Sequence, residues 1–238
     1  DSLEGRKPFT NGEEKTIRYL EDQFRQLGLK PGNGNSYLQE VPMVEINSVP
    51  TGPLVFKGKG GQLSLTYLDD YVATTRHVTE QVGLNNSDLV FAGYGVVAPE
   101  YNWNDYAGLD VKGKTVLVLV NDPGFTDSSL FRGKNMTYYG RWTYKYEEAA
   151  RQGAAGVIII HDTAPASYPW AVVRSGWSGA KLYLQTPDND KSRASVEGWI
   201  TLDAAKKLFQ LAGVSDTLIQ AAHKRGFKPV PLPITSSV

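Results

Sequence analysis

Cysteine is missing altogether, which removes disulfides, thiolate metal sites and a cysteine nucleophile together. Histidine is almost as scarce: His77, His161 and His223 are the only three, and none stands in a His-x-Asp, His-x-His or His-Glu-x-x-His spacing that brings metal ligands together. Neither sign of charge is in surplus, since 25 Lys and Arg face 25 Asp and Glu. A nucleic-acid or anionic-membrane partner, which needs a positive field, is therefore not expected. No apolar run approaches the roughly 18 residues that span a bilayer, and the first residues are polar, unlike a signal peptide. The chain reads as mature, with no transmembrane segment.

What is present suits a globular protein: 41% of the residues are hydrophobic and 21% charged, enough for one large core or two small ones. Thr10 and Glu13 have capping-box spacing, and Ile17, Leu20, Phe24 and Leu27 follow at helical intervals, so a helix is predicted over residues 11–27. Residues 37–46 have strand character, with Pro42 favouring an edge. The Pro and Gly cluster at 48–61 reads as a boundary, and Lys57-Gly58-Lys59-Gly60-Gly61 within it as a turn, because the Gly-Lys-Ser/Thr ending of a phosphate loop is lacking. Strands are predicted at 63–68, 89–95 and 115–120, a helix at 142–152 and a doubly buried strand at 157–160, the last three making a right-handed βαβ unit. Thr201 caps a further helix, a short one follows over 216–223, and Pro229, Pro231 and Pro233 impose an extended exit. The fold class is α+β.

Candidate chemistry is thin. Glu13-Glu14 belongs to a helix's first turn, where negative charge is favoured, and Glu147-Glu148 reads as a solvated helix face beside Arg151. Asp188-Asn189-Asp190 opens like a calcium loop but lacks the glycine at position six and the closing Glu. Gly176-Trp177-Ser178-Gly179-Ala180 falls one glycine short of a nucleophile elbow. No catalytic or metal-binding residue is assigned. The aromatics draw more attention, above all Tyr138-Tyr139-Gly140-Arg141-Trp142. That cluster either recognises an anionic or peptide ligand or covers the helix start.

Phe91-Ala92-Gly93-Tyr94-Gly95, Ala98-Pro99-Glu100-Tyr101, Asn104-Asp105-Tyr106-Ala107-Gly108, Asp110-Val111-Lys112-Gly113-Lys114 and the stretch from Ala149 to Val157 occur in order. This series resembles the protease-associated (PA) domain inserted in secreted di-zinc exopeptidases similar to vacuolar aminopeptidase Y and glutamate carboxypeptidase II. Gly12 to Glu14 and Leu27 to Leu29 resemble the opening of the catalytic domain in that family.

The resemblance implies a host segment at 1–60, a β-rich PA domain of barrel or sandwich type at 61–200, and a helical return with an exit strand at 201–238. It also implies a secreted or periplasmic location, with zinc ligands and catalytic base on a peptidase domain beyond Val238. On this reading the chain is noncatalytic and holds no cofactor, the parent being a zinc aminopeptidase. Its partners are its own downstream peptidase domain and the parent's peptide substrate. The alternative is a free-standing peptide- or glycan-binding module. Tyr138, Tyr139, Arg141 and Trp142 are the substrate-proximal candidates. Arg141 either holds a substrate carboxylate, as an arginine near this helix start does in some relatives, or forms a structural ion pair. An inserted domain leaves and rejoins its host at neighbouring points, so 37–46 and 231–238 are expected side by side, most simply as an antiparallel pair.

Overall fold

The structure is a computed structural model that describes residues 3, 5–215 and 217–238. It divides into two compact units, Asp1–Met43 and Val44–Val238. The first carries α1 (Asn11–Gln26), the helix read from the sequence. Its capping differs from the expected box: the Thr10 hydroxyl donates to Lys7 O at 2.6 Å, and the Glu13 carboxylate accepts from the Phe9 N–H at 2.6 Å. The apolar stripe of α1 stays open, with Leu20, Phe24 and Leu27 exposed.

The second unit begins inside β1 (Met43–Ile46) and continues through β2 (Leu54–Gly58), β3 (Gly61–Leu65), β4 (Tyr71–Thr74) and β5 (Ser87–Phe91). Next come the two-residue strands β6 (Val97–Ala98) and β7 (Trp103–Asn104), then β8 (Thr115–Leu119), α2 (Trp142–Arg151) and β9 (Gly156–His161). The remainder is α3 (Thr163–Ala166), α4 (Trp170–Gly176), β10 (Lys181–Leu184), β11 (Val196–Thr201), α5 (Leu202–Leu211), α6 (Thr217–Ala222) and β12 (Val230–Ser237). The sequence-based start of α6 at Asp216 lies outside the described residues.

Eight strands form one sheet in the order β3-β2-β12-β5-β8-β9-β11-β4. β5, β8, β9 and β11 run parallel in its middle, and β12 and β4 flank them antiparallel. β8, α2 and β9 make the expected βαβ unit. The strands alternate between two apolar clusters: Leu117, Leu119, Ile158 and Ile160 face one, with Leu208 and Phe209 of α5, while Val116, Val118, Val157 and Ile159 face the other, with Tyr146 and Ala149 of α2. Burial on both faces is why β8 and β9 read as continuous apolar runs.

The two edge strands of this sheet are consecutive in the chain. Flat, eight strands would set β3 and β4 about 34 Å apart. The link from Leu65 to Tyr71 can stretch only about 20 Å. The sheet must therefore curl, and it does so into a nearly closed, barrel-like form, with an isolated bridge between Tyr67 and Tyr71 inside the link. The fold is mixed α+β, mostly sheet.

Three expectations are corrected. The strand expected at 37–46 is reduced to β1, because Pro42 has no N–H to enter a ladder. β1 pairs with β10, and the exit strand β12 pairs instead with β2 and β5. The stretch 48–61 holds β2 and the start of β3, joined as a hairpin through Lys59-Gly60. The Lys-Gly run is thus a turn, as read, but one that sits inside the sheet.

β12 is an interior strand containing two prolines. Val230 to Leu232 pair only with β5, pairing with β2 begins at Ile234, and the register shifts between Leu232 and Thr235. Pro231 and Pro233 therefore fall where no full ladder is required of them.

Candidate functional site

α2 is set in place by the loop that follows β8. The Asn121 N–H donates to Gly140 O at 3.2 Å, and the Asp122 carboxylate accepts from the Thr137 N–H at 2.9 Å and its hydroxyl at 2.6 Å. A side chain at Gly140 would meet Asn121 and Met136, hence the glycine. Lys145, fully buried on α2, donates from Nζ to Tyr94 O at 2.6 Å and Asn121 O at 2.8 Å. Asp105, also buried, accepts from Trp103 Nε1 at 2.8 Å and from the Val96 N–H at 3.0 Å. Burial pushes the Asp105 carboxyl up and the Lys145 ammonium down, while each charge opposes the other's shift.

The Phe91 to Gly95 motif gains its physical reason here. Gly93 and Gly95 have φ of 55° and 62°, and a side chain at Gly95 would lie 2.7 Å from Val118. Only glycine suits that turn over the end of β8.

The four substrate-proximal candidates do not form one patch. Tyr139 donates to Glu100 Oε1 at 2.6 Å, a bond that pushes its phenol up to about 12, and its ring packs on Tyr144, Phe131 and Tyr101. Tyr138, 57% exposed, donates to Glu147 Oε2 at 2.8 Å. Arg141 is the N-cap residue of α2, its side chain capping nothing. It is exposed and makes no ion pair among the described residues, although its charge opposes the rise that burial imposes on the Tyr168 phenol. Trp142, 42% exposed, has its ring contacts with Tyr146 and Trp177, with centroids at 6.1 and 5.4 Å.

Trp142 opens onto a cleft of about 420 Å³ between α2, α4, β10 and β11. Its lining includes Arg76, Tyr146, Glu147, Tyr168, Trp177, Tyr183, Arg193 and Glu197, and no sequence motif brings these groups together as a site. Arg76 pairs with Asp190 at 3.0 Å and lies 4.7 Å over the Tyr183 ring. Glu197 is 3% exposed, and its Oε1 has no hydrogen-bond partner. Burial pushes it up to about 7, against the opposing charges of Arg193 and Arg76. The one trace of this in the sequence is an acid inside the apolar run Val196-Glu197-Gly198-Trp199-Ile200.

The other candidates have structural settings. His77 contacts Arg193 O, His161 contacts Tyr168 O and His223 contacts the Tyr94 hydroxyl, each through a ring nitrogen. Among the described residues no three His, Asp or Glu side chains are grouped to hold a metal ion. Glu148 is corrected: it is buried rather than solvated, and it accepts from Arg151, Gln152 and Tyr144. The Asp188 segment is a turn, with Asn189 and Asp190 in the left-handed region, and Ser178 follows a helix rather than a strand. No helix among the described residues is long and apolar enough to cross a membrane.

A search of curated proteins found no match. Among solved structures, an aminopeptidase from Aneurinibacillus sp. strain AM-1 is similar at 22% identity and a TM-score of 0.39, over 96% of this chain and 38% of that one. BSAP, a zinc aminopeptidase from Bacillus subtilis, is similar at 16% identity and a TM-score of 0.31, over 95% and 38% of the two chains. The chain thus spans 38% of the length of each of these two. The PA domain family matches residues 51–193, a stretch that runs from the hairpin of β2 through the parallel strands β5, β8 and β9 to the turn beside the cleft, and by that match over more than half its length the chain belongs to the PA domain family.

Proposed function

We propose that this chain is the noncatalytic accessory region of a secreted or periplasmic zinc aminopeptidase, covering the substrate cleft of a peptidase domain that follows it. The observation that carries this reading is the open stripe of α1. Leu20, Phe24 and Leu27 are spaced for one helix face, yet all three are exposed, and a helix with that pattern is built to pack on another body. The ordered motifs between Phe91 and Val157 support the same reading through their resemblance to the domain inserted in such enzymes. On this account zinc and the catalytic base belong to the peptidase domain, and the chain itself supplies substrate contacts.

Arg141 is the residue proposed for that contact. It is an exposed guanidinium with no acidic partner among the described residues, so its fork is open to a carboxylate. Trp142 beside it supplies an apolar surface, and Tyr138 and Tyr139 define the same end of α2.

The test compares this chain with the longer gene product. The chain is expected to bind no stoichiometric zinc and to leave aminoacyl p-nitroanilides intact, whereas the longer product hydrolyses them with zinc bound. In the longer product, Arg141→Ala should raise KM for carboxylate-bearing substrates severalfold with the melting temperature unchanged. Zinc and turnover in the chain alone would overturn the accessory reading. Unchanged kinetics with a lowered melting temperature would make Arg141 structural.

A further inference from the structure

Five charged side chains line the cleft, and three of them have a polar partner. Arg76 is paired with Asp190, Glu147 accepts from the Tyr138 hydroxyl, and Lys181 donates to Ser178 O at 2.9 Å. Two lining groups of opposite sign are left. Glu197, on the floor, has a buried carboxylate oxygen with no hydrogen-bond partner. Arg193, half-buried in the lining, has a guanidinium with no ion pair among the described residues. They are close enough for the arginine to be the leading charge that opposes Glu197's rise, yet they form no ion pair with each other. An unsatisfied acceptor buried in a native fold is uncommon and calls for an explanation.

The walls are apolar and aromatic. Trp142, Tyr146 and Trp177 stand edge to face around one another, with centroid distances of 5.4 to 6.1 Å, and Val172 and Val173 of α4 lie beside them. A volume of about 420 Å³ is within the range of small-molecule sites.

We propose that this cleft binds a free α-amino acid with an apolar side chain, its ammonium on Glu197, its carboxylate on Arg193 and its side chain among Trp142, Tyr146 and Trp177. A zwitterion answers both unpaired groups at once and brings no net charge into a low-dielectric site. An ammonium alone would meet the arginine, and a carboxylate alone would meet the glutamate. A bound ammonium also holds Glu197 in its charged form, against the burial that raises it. This inference does not rest on the peptidase reading, because it concerns binding by the chain itself.

Calorimetric titration of the chain with L-leucine, L-leucinamide and 4-methylpentanoate tests it, since the last two lack the carboxylate and the ammonium in turn. L-Leucine is expected to bind, with each analogue at least about tenfold weaker. Glu197→Gln should weaken L-leucine and L-leucinamide by a similar factor and leave 4-methylpentanoate unchanged. Arg193→Met should weaken L-leucine and 4-methylpentanoate and leave L-leucinamide unchanged. Trp142→Ala, at a half-exposed position, keeps the test open if the Glu197 variant fails to fold: it should weaken L-leucine without lowering the melting temperature. No heat from L-leucine up to about 10 mM, or an analogue binding as well as L-leucine, would overturn the proposal. So would full affinity in the Trp142 variant.

Discussion

Glu197 decides a pH dependence by itself. Its carboxyl rises from 4.5 in a solvated chain to about 7 in the fold because burial disfavours the charge. Between those values the folded state keeps a proton that the unfolded state releases. Its stabilising contribution is therefore complete below pH 4.5 and disappears as pH rises through about 7. Glu197→Gln has no such proton. Urea unfolding at pH 5 and pH 8 should show the variant gaining on the parent by on the order of 2–3 kcal/mol. The raised carboxyl of Asp105 is common to both proteins and cancels in the difference. Parallel stability profiles would show that Glu197 is solvated after all. The sequence displayed this residue only as an odd acid in an apolar run, because the groups that line the cleft with it come from α2, α4, β10 and Arg193, and no local spacing records such convergence.

At the scale of elements, α2 is tied down by Tyr144, Lys145 and Tyr146 from its own buried face. Lys145 gives two hydrogen bonds, to Tyr94 O and Asn121 O, and so joins the helix to the glycine turn and to the end of β8. Lys145→Met would keep the volume but leave both carbonyls without a donor and Asp105 without its opposing charge. A loss of about 3 kcal/mol or more is expected in denaturant unfolding. A loss under about 1 kcal/mol would mean that water replaces the ammonium. The helix itself was legible to within a residue, as were α1, β8 and the start of α5, where the Thr201 hydroxyl accepts from the Ala204 N–H. These elements declare themselves by caps and by local periodicity. β2, β4 and β11 do not: β2 lies within a Pro and Gly cluster, β4 has four residues, and β11 carries an acid and a glycine. β4 and β11 become strands through partners far away in sequence, and β2 through its hairpin with β3 and the late strand β12.

For the whole molecule, the division after Met43 predicts that the sheet unit stands without the first helix. Deleting residues 1–42 should leave a cooperative thermal transition and native near-ultraviolet circular dichroism. Deleting 230–238 should abolish both, since β12 lies between β2 and β5 and buries Leu232, Ile234 and Ser236. Survival of a cooperative transition without β12 would show that the curled sheet can close by another pairing.

The place of β12 also sets an order of events during synthesis. The β2–β3 hairpin meets the rest of the ladder only through a strand made long after it. While the chain is emerging, the hairpin and β5 each present an edge with no partner, and both wait for the same late segment. A nascent chain in that condition is open to pairing with its neighbours on a polysome. Pro231 and Pro233, which weaken the ladder locally in the finished fold, keep the late strand extended and make it a poor partner for any edge except the one with the matching bulge.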